Sequence, residues 1–178
     1  KLGTSIEERP ESVELRNEFG HWEIDSVLGL KNENEPVVIT LVERMTRMCL
    51  WIKAKNHTAE AMQEAFAEVV SMFLSKKNQV FKTVTGDNGS EFATLADFEK
   101  YGMSVYFTHP YTSCEKGTNE CHNKMLRRFI PKGNPISSYT AEDICYFADC
   151  INGLPRKILR YRTPEELFEQ ELDKIYAA

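Results

Sequence analysis

The chain has 178 residues, 42% hydrophobic and 28% charged, with a formal net charge of -5. That length suits one domain whose core needs neither disulfides nor a structural metal, and the composition excludes wholesale disorder. No apolar run approaches the ~20 residues of a membrane span, and Lys1 to Arg9 lacks the apolar stretch of a signal peptide, so a cytoplasmic location is expected. The five cysteines (Cys49, Cys114, Cys121, Cys145, Cys150) are odd in number and without CxxC spacing, which argues for reduced thiols. His109, Cys114, Cys121 and His122 cluster, but their spacing fits no standard zinc pattern, and ordinary loop and helix roles are the favoured reading.

Residues 1–17 are polar and irregular and are expected to form an arm or linker entering a domain over 18–178, with some further segment ahead of it. Three strand-like runs follow, about Gly20 to Leu30, Pro36 to Glu43 and Arg47 to Lys53, and their short connections predict an antiparallel meander. Thr58 can cap a helix to about Ser75, in which Met62, Ala65, Phe66, Val69, Val70 and Phe73 recur at three-and-four spacing. A strand at Val80 to Thr85, a helix near Glu91 to Tyr101 and a strand at Met103 to Phe107 come next. After a loop from His109 to Gly117, a helix is expected from Thr118 through Phe129, stopped by Pro131 and Gly133. Thr140 can cap another helix through Ile151, and Thr163-Pro-Glu-Glu166 has the form of a capping box opening a last one. The expected fold is α/β, a five-stranded mixed sheet of three antiparallel strands then two parallel, flanked by helices. In such sheets ligands gather at the carboxyl ends of the strands.

Three acids stand in marked settings. Asp25 lies in an apolar run (Trp22, Ile24, Val27, Leu28), where an unpaired charge is costly to bury unless a cation or partner offsets it. Asp87 ends a short apolar strand and precedes Asn88-Gly89 turn chemistry, which projects its carboxylate from a strand tip. Glu120 falls in the first turn of a helix, where a purely structural role complementing the helix dipole is equally open. Lys124 and Arg127 follow at four and seven residues, on the same helical face. The net charge conceals a basic stretch, Lys116, Lys124, Arg127, Arg128 and Lys132 against the single acid Glu120, and a second run of Arg156, Lys157, Arg160 and Arg162. Both are candidate phosphate contacts, with a solvated basic face as the alternative. Glu23 shares a sheet face with Asp25 and reads either as an aid to a metal site or as a salt-bridge partner. Glu91 reads either as a support for the metal site or, the favoured reading, as a first-turn helix acid, and Trp22 reads as core in preference to a base-stacking role.

The order of elements and acids resembles the ribonuclease-H-like core of DDE transposases and retroviral-type integrases, and within them the insertion-sequence-thirty group of bacterial transposases. The blocks that carry the resemblance are Ser5-Ile-Glu-Glu-Arg-Pro10, Glu18-Phe-Gly-His-Trp-Glu23, Asp87-Asn-Gly-Ser-Glu-Phe-Ala93, Gly117-Thr-Asn-Glu120, Pro131-Lys-Gly133 and Thr163-Pro-Glu-Glu-Leu-Phe168. It implies that Asp25, Asp87 and Glu120 are both catalytic and metal-ligating. They would hold two Mg²⁺ or Mn²⁺ ions, with Asp25 bridging, for in-line displacement at a phosphodiester. Lys116, Lys124, Arg127 and Arg128 would contact DNA, while Asn88 and Gly89 shape the turn that presents Asp87. Cleavage at transposon ends and strand transfer into target DNA is the implied activity, with a homodimer or higher assembly in the synaptic complex and action at the bacterial nucleoid. A ribonuclease-H-like nuclease that only hydrolyses, or an inactive DNA-binding derivative, are the alternatives. Cys114, Cys121 and His122 depart from the family pattern, and the amino-terminal helix-turn-helix module usual in the group is missing from the sequence.

Overall fold

The computed structural model describes residues 2–30, 32, 34–109 and 117–177. Five strands, β1 (His21–Leu28), β2 (Val37–Glu43), β3 (Cys49–Ala54), β4 (Thr83–Gly86) and β5 (Ser104–Phe107), form one sheet in the order β3-β2-β1-β4-β5. The first three pair antiparallel and β1-β4-β5 pair parallel, which is the expected mixed sheet. Every residue of β2 is buried, so it appears in sequence as an apolar run rather than an alternation; a strand covered on both faces has no polar side to show.

Side chains alternate across the sheet and feed two cores. Trp22 and Ile24 join Phe66, Phe81, Phe98 and Phe168 on one face, while Val27 joins Val38, Trp51, Leu126 and Ile144 on the other. Trp22 stacks on Phe81 with ring centroids 4.9 Å apart and donates its indole N–H to the Val80 carbonyl at 2.7 Å. Helix α1 (Ala59–Ser71), capped by Thr58 as expected, lines the first core with Met62, Phe66, Val69 and Val70. Helices α3 (Gly117–Leu126) and α4 (Ala141–Asn152) cover the second. Thr140 and Asp143 form a capping box at the start of α4, and Thr163 and Glu166 exchange the same reciprocal bonds at the start of α5 (Pro164–Ala177).

Two expected elements take a different form. Val80 closes a short helix, α2 (Lys77–Val80), and the strand begins only at Thr83. The apolar pair Val80-Phe81 is buried because Trp22 and Phe66 pack there, not because it lies in the sheet. The segment expected as a helix from Glu91 to Tyr101 is two 3-10 stretches, Ser90–Phe92 and Leu95–Tyr101, the second ended by Gly102 at φ 89°. Phe92, Leu95 and Phe98 are spaced three apart, which suits a three-residue turn pointing all of them into one core.

Both sheet edges have partners besides strands. On β3 the side chain of Asn152 accepts from the Cys49 backbone N–H at 2.9 Å and donates to its carbonyl at 2.8 Å, taking the place of a sixth strand at that residue. On β5 Phe107 donates its N–H to the Thr4 carbonyl at 2.9 Å. Residues 5–16 then run past the sheet, with Arg9 donating to Thr85 Oγ1 at 2.9 Å and pairing with Glu14.

Replacing Asn152 with Ala leaves a buried N–H and a buried carbonyl of β3 without partners. Urea denaturation should give a loss of about 2–4 kcal/mol, since each such group costs about 1–3 kcal/mol. At the start of β1, burial holds the His21 imidazole below its usual range even though Glu18 Oε2 lies 3.2 Å from Nε2 and pulls the other way. The folded state therefore keeps His21 neutral, while the unfolded chain takes up a proton near pH 6.5; the stability present above that pH is lost as pH falls through it. Thermal melts at pH 7.5 and 5.5 should show the drop, and a His21→Gln variant should lose less on the same acidification.

Candidate active site

The site is built at the carboxyl ends of β1 and β4. These strands run parallel with His21 opposite Thr83, Trp22 opposite Val84 and Glu23 opposite Thr85. Continuing that register by two residues, beyond the last β1–β4 pair, would bring Asp25 level with Asp87 in the turn that follows β4. Both acids are half-buried. Asp87 Oδ1 accepts the Gly89 N–H at 3.0 Å, an Asx turn that folds the chain back immediately after the strand. Asn88 braces the same turn by donating to the Thr108 carbonyl. Gly89 leaves room for the Glu91 carboxylate, which would collide with any Cβ at that position.

Helix α3 brings the third acid. Its first turn is fastened to the sheet by Glu23, whose Oε2 accepts the Asn119 backbone N–H at 2.9 Å while Oε1 accepts from Arg44 Nη1 at 2.8 Å. Thr40 of β2 hydrogen-bonds the side chains of Asn119 and Asn123 at 3.0 and 2.9 Å. Asn123 in turn donates to Asp25 Oδ2 at 2.7 Å. Glu120 precedes Asn123 by three residues and so lies on a neighbouring stripe of the helix, close to the end of the sheet that carries both aspartates. Its carboxylate is exposed and pairs with Lys124 Nζ at 2.9 Å. An exposed pair of this kind holds a side chain weakly, so Glu120 can turn to another cation at small cost. Among the described residues no group of three His, Cys, Asp or Glu side chains is already gathered tightly enough to hold a metal ion.

The donor set suits hard divalent ions nonetheless. Asp25, Asp87 and Glu120 offer carboxylate oxygens only, one from β1, one from the turn after β4 and one from α3, and among the described residues no thiol or imidazole from those elements is seen to compete there. His122 is turned away and buried, with Nδ1 2.9 Å from the Thr118 carbonyl and Nε2 3.2 Å from the Arg47 carbonyl; burial lowers its pKa. Cys121 is exposed.

The basic residues divide. Lys124 and Arg128 are exposed, with Lys124 engaged by Glu120, whose hydrogen bond raises the lysine's pKa. Arg127 donates Nη2 to the Leu28 carbonyl at 2.8 Å, tying α3 to the end of β1, and its Nη1 is buried without a partner among the described residues. Lys116 lies outside the described residues, as does Cys114. Glu23 is a buried salt-bridge partner of Arg44, and Trp22 is core. Glu91 is a first-turn acid of the 3-10 stretch Ser90–Phe92 and also reaches His57 Nε2 at 3.2 Å and accepts from Ser26 Oγ at 3.3 Å, bracing the residue next to Asp25 from the opposite face of the sheet.

The sequence reading missed Asn123, Thr40 and Arg44. For Asn123 a signal existed, since an amide three residues after Glu120 shares its side of a helix; Thr40 and Arg44 reach the site only through strand register.

A model of the integrase core domain family matches residues 16–113, more than half of the chain. The chain belongs to that family. This integrase core is also similar along most of its length to proteins of insertion sequences. It is 44% identical over 168 residues to the probable transposase for insertion-like sequence element IS1161 of Streptococcus salivarius, a match covering 94% of this chain and 47% of that protein. It is 37% identical over 170 residues to the transposase for insertion sequence element IS4351 of Bacteroides fragilis, covering 95% and 50%. Transposase InsI for insertion sequence element IS30A of Escherichia coli (strain K12) is 33% identical over 169 residues, covering 94% and 43%. The integrase core thus spans about half the length of the curated relatives it matches. Its five-stranded mixed sheet with flanking helices is the ribonuclease-H-like fold.

Truncating Glu23 to Ala would leave the buried Nη1 of Arg44 without its carboxylate, with only Glu14 remaining on Nη2, and release the first turn of α3. Breaking a buried pair from one side costs about 3–5 kcal/mol, which chemical denaturation would register directly. Hydrogen exchange should also show faster exchange at the start of α3 than in β2.

Proposed function

We propose that the chain is the catalytic core of a DDE transposase of the insertion-sequence-thirty group, with Asp25, Asp87 and Glu120 as its catalytic and metal-ligating acids. The observation that supports this reading is the parallel β1–β4 register, whose extension by two residues would bring Asp25 and Asp87 level, together with the Asn123 hydrogen bond that ties the Glu120 helix to Asp25. The names of the relatives support it, and DNA is the substrate it implies. Two divalent cations, Mg²⁺ or Mn²⁺, bound between these acids would activate the attacking oxygen and stabilise the leaving oxygen of an in-line displacement.

The residues of the chain do the positioning. Asp25, fixed by Asn123 and with its backbone locked in the centre of the sheet, is the acid with least freedom and the natural bridging ligand. Asp87 is aimed by its own Asx turn and by Asn88. Glu120 closes the site from α3 by exchanging Lys124 for a cation. Lys124 is then available to a phosphate oxygen, beside Arg128 on the next turn. Arg127 holds α3 against β1, and its second amino group, buried and unpartnered, is a further donor for a phosphate brought to the end of that strand. The nucleophile is first water and then the 3′-hydroxyl of the cleaved end, so no covalent protein intermediate is needed. Lys116, which precedes Gly117 in the sequence, is taken to join these contacts on its charge alone. Pairing two transposon ends calls for at least two protomers in the working complex.

The decisive experiment is strand transfer by the full-length protein, with end-processed DNA joined to a target plasmid in Mg²⁺ or Mn²⁺. Asp25→Asn, Asp87→Asn and Glu120→Gln should each lower joining by about a thousandfold or more, the loss expected when several kcal/mol of charge stabilisation disappears. Calorimetric Mn²⁺ binding by the 178-residue chain should weaken in Asp25→Asn. Hydrolysis without joining would leave a nuclease, and Mn²⁺ binding indifferent to Asp25→Asn would leave an inactive DNA-binding derivative.

A further inference from the structure

The second basic run of the sequence forms a seven-residue hairpin of unusual build. Arg156 and Arg162 pair as an antiparallel bridge, with Arg156 N–H donating to the Arg162 carbonyl at 3.0 Å. The Arg156 carbonyl accepts from Leu159 and from Tyr161, each at 2.9 Å, and Arg162 N–H closes a turn onto the Leu159 carbonyl at 3.1 Å. The two central residues of that turn, Arg160 at φ 54° and Tyr161 at φ 65°, both lie in the left-handed region. Turns of this type favour glycine or asparagine at such positions, so an arginine followed by a tyrosine is not what backbone stability would select.

The outer arginines are spent on holding the hairpin in place. Arg156 donates to the Ile151 carbonyl at 3.0 Å and touches Met125 Sδ of α3 at 3.4 Å; Arg162 donates to Gln170 Oε1 of α5 at 2.9 Å. The middle of the hairpin is presented outward. Ile158 is 71% exposed and Tyr161 72% exposed. Lys157 and Arg160 are exposed too, and neither is in an ion pair among the described residues. From Gly153 to Arg162 there are four cations and no acid, in a chain that carries 27 acidic residues against 22 basic ones. Through Met125 the hairpin packs against α3.

We propose that this hairpin is a second DNA contact, separate from the acid cluster, in which Lys157 and Arg160 grip backbone phosphates and Tyr161, with Ile158 beside it, packs on a sugar or base face. The inference rests on the reading of the chain as a DNA-processing core. Local cations draw in the phosphate backbone whatever the net charge of the chain. An aromatic ring set between two cations supplies the stacking surface that nucleic-acid binders combine with such charges. A loop already closed by its own hydrogen bonds loses little freedom on binding. A patch of Ile158 and Tyr161 alone would suit a second protein chain, but the uncompensated Lys157 and Arg160 beside them favour a polyanion.

The test is equilibrium binding of the 178-residue chain to a fluorescein-labelled duplex of about 30 base pairs, in EDTA, across a salt series. No metal and no chemistry are involved, so a failed acid cluster and a failed hairpin give separate signatures: the acid cluster is read from strand transfer in metal, and the hairpin from binding in EDTA. The double variant Lys157→Ala with Arg160→Gly should flatten the slope of log affinity against log salt by about 2, one unit per lost phosphate contact. Arg160→Lys should keep the slope. Tyr161→Gly should lower affinity about fivefold or more with the slope unchanged, as loss of stacking requires. Glycine at 160 or 161 suits the left-handed backbone, so thermal melts should match or exceed the parent and a loss of binding cannot be ascribed to unfolding. Parental affinity and slope in the double variant would overturn the proposal. So would unchanged DNA binding in Tyr161→Gly together with lost self-association in sedimentation, which would make the hairpin a contact between copies of the chain.

Discussion

Glu23 is a carboxylate shut away from water in the middle of β1, and the geometry of the site follows from how its charge is met. One oxygen takes the Arg44 guanidinium, the other the backbone N–H of Asn119. Arg44 also reaches Glu14, so the same charge network ties the segment before β1 to the turn after β2. A buried carboxylate left short of partners costs several kcal/mol, which makes the start of α3 a fixed point and not a matter of loop chance. Thr40, Asn123 and Arg127 then set the helix along the sheet, one contact per turn. Glu120 is carried into position by a helix fastened at residues on either side of it, while its own side chain stays exposed and replaceable.

This division between rigid supports and a movable carboxylate suits the proposed site, which would accept ions and then a bulky polymer. Asp25 belongs to the centre of the sheet and Asp87 to a turn closed within two residues, so both acids come with their directions already set. Glu91, His57 and Ser26 brace that end of β1 from the other face. The basic groups follow the same logic. Lys124 and Arg128 face outward from α3, whereas Arg127 uses one amino group to hold β1.

Much of the fold was legible because strands and helices leave periodic marks. The three antiparallel strands fall within about two residues of where alternation and turn residues set them, and the caps at Thr58, Thr140 and Thr163 open the helices expected of them. Failures came where burial had a cause outside the local pattern. Val80 and Phe81 are apolar because Trp22 covers them, and an apolar pair cannot itself say whether strand or helix buries it. Phe92, Leu95 and Phe98 were spaced for a 3-10 turn, which differs from an α-helix by less than a residue per turn. The three acids stood out through their immediate neighbours, Glu23 through strand alternation as a salt-bridge candidate, and Asn123 left a signal in its spacing from Glu120; Thr40 and Arg44 could not stand out, because their partners lie from 21 to 83 residues away.

The amide of Asn152 plugs the outer rim of β3, and the Thr4 carbonyl does the same at the far rim, beside Phe107. An open rim invites another copy to add its own strand and build a continuous ribbon through both molecules. With a side-chain stopper on one border and a backbone stopper on the other, ribbon growth meets an obstacle at each. Strand addition is thereby hindered at Cys49 and at Phe107, whereas Asp25 and Asp87 belong to the inner strand β1 and to the turn after the inner strand β4.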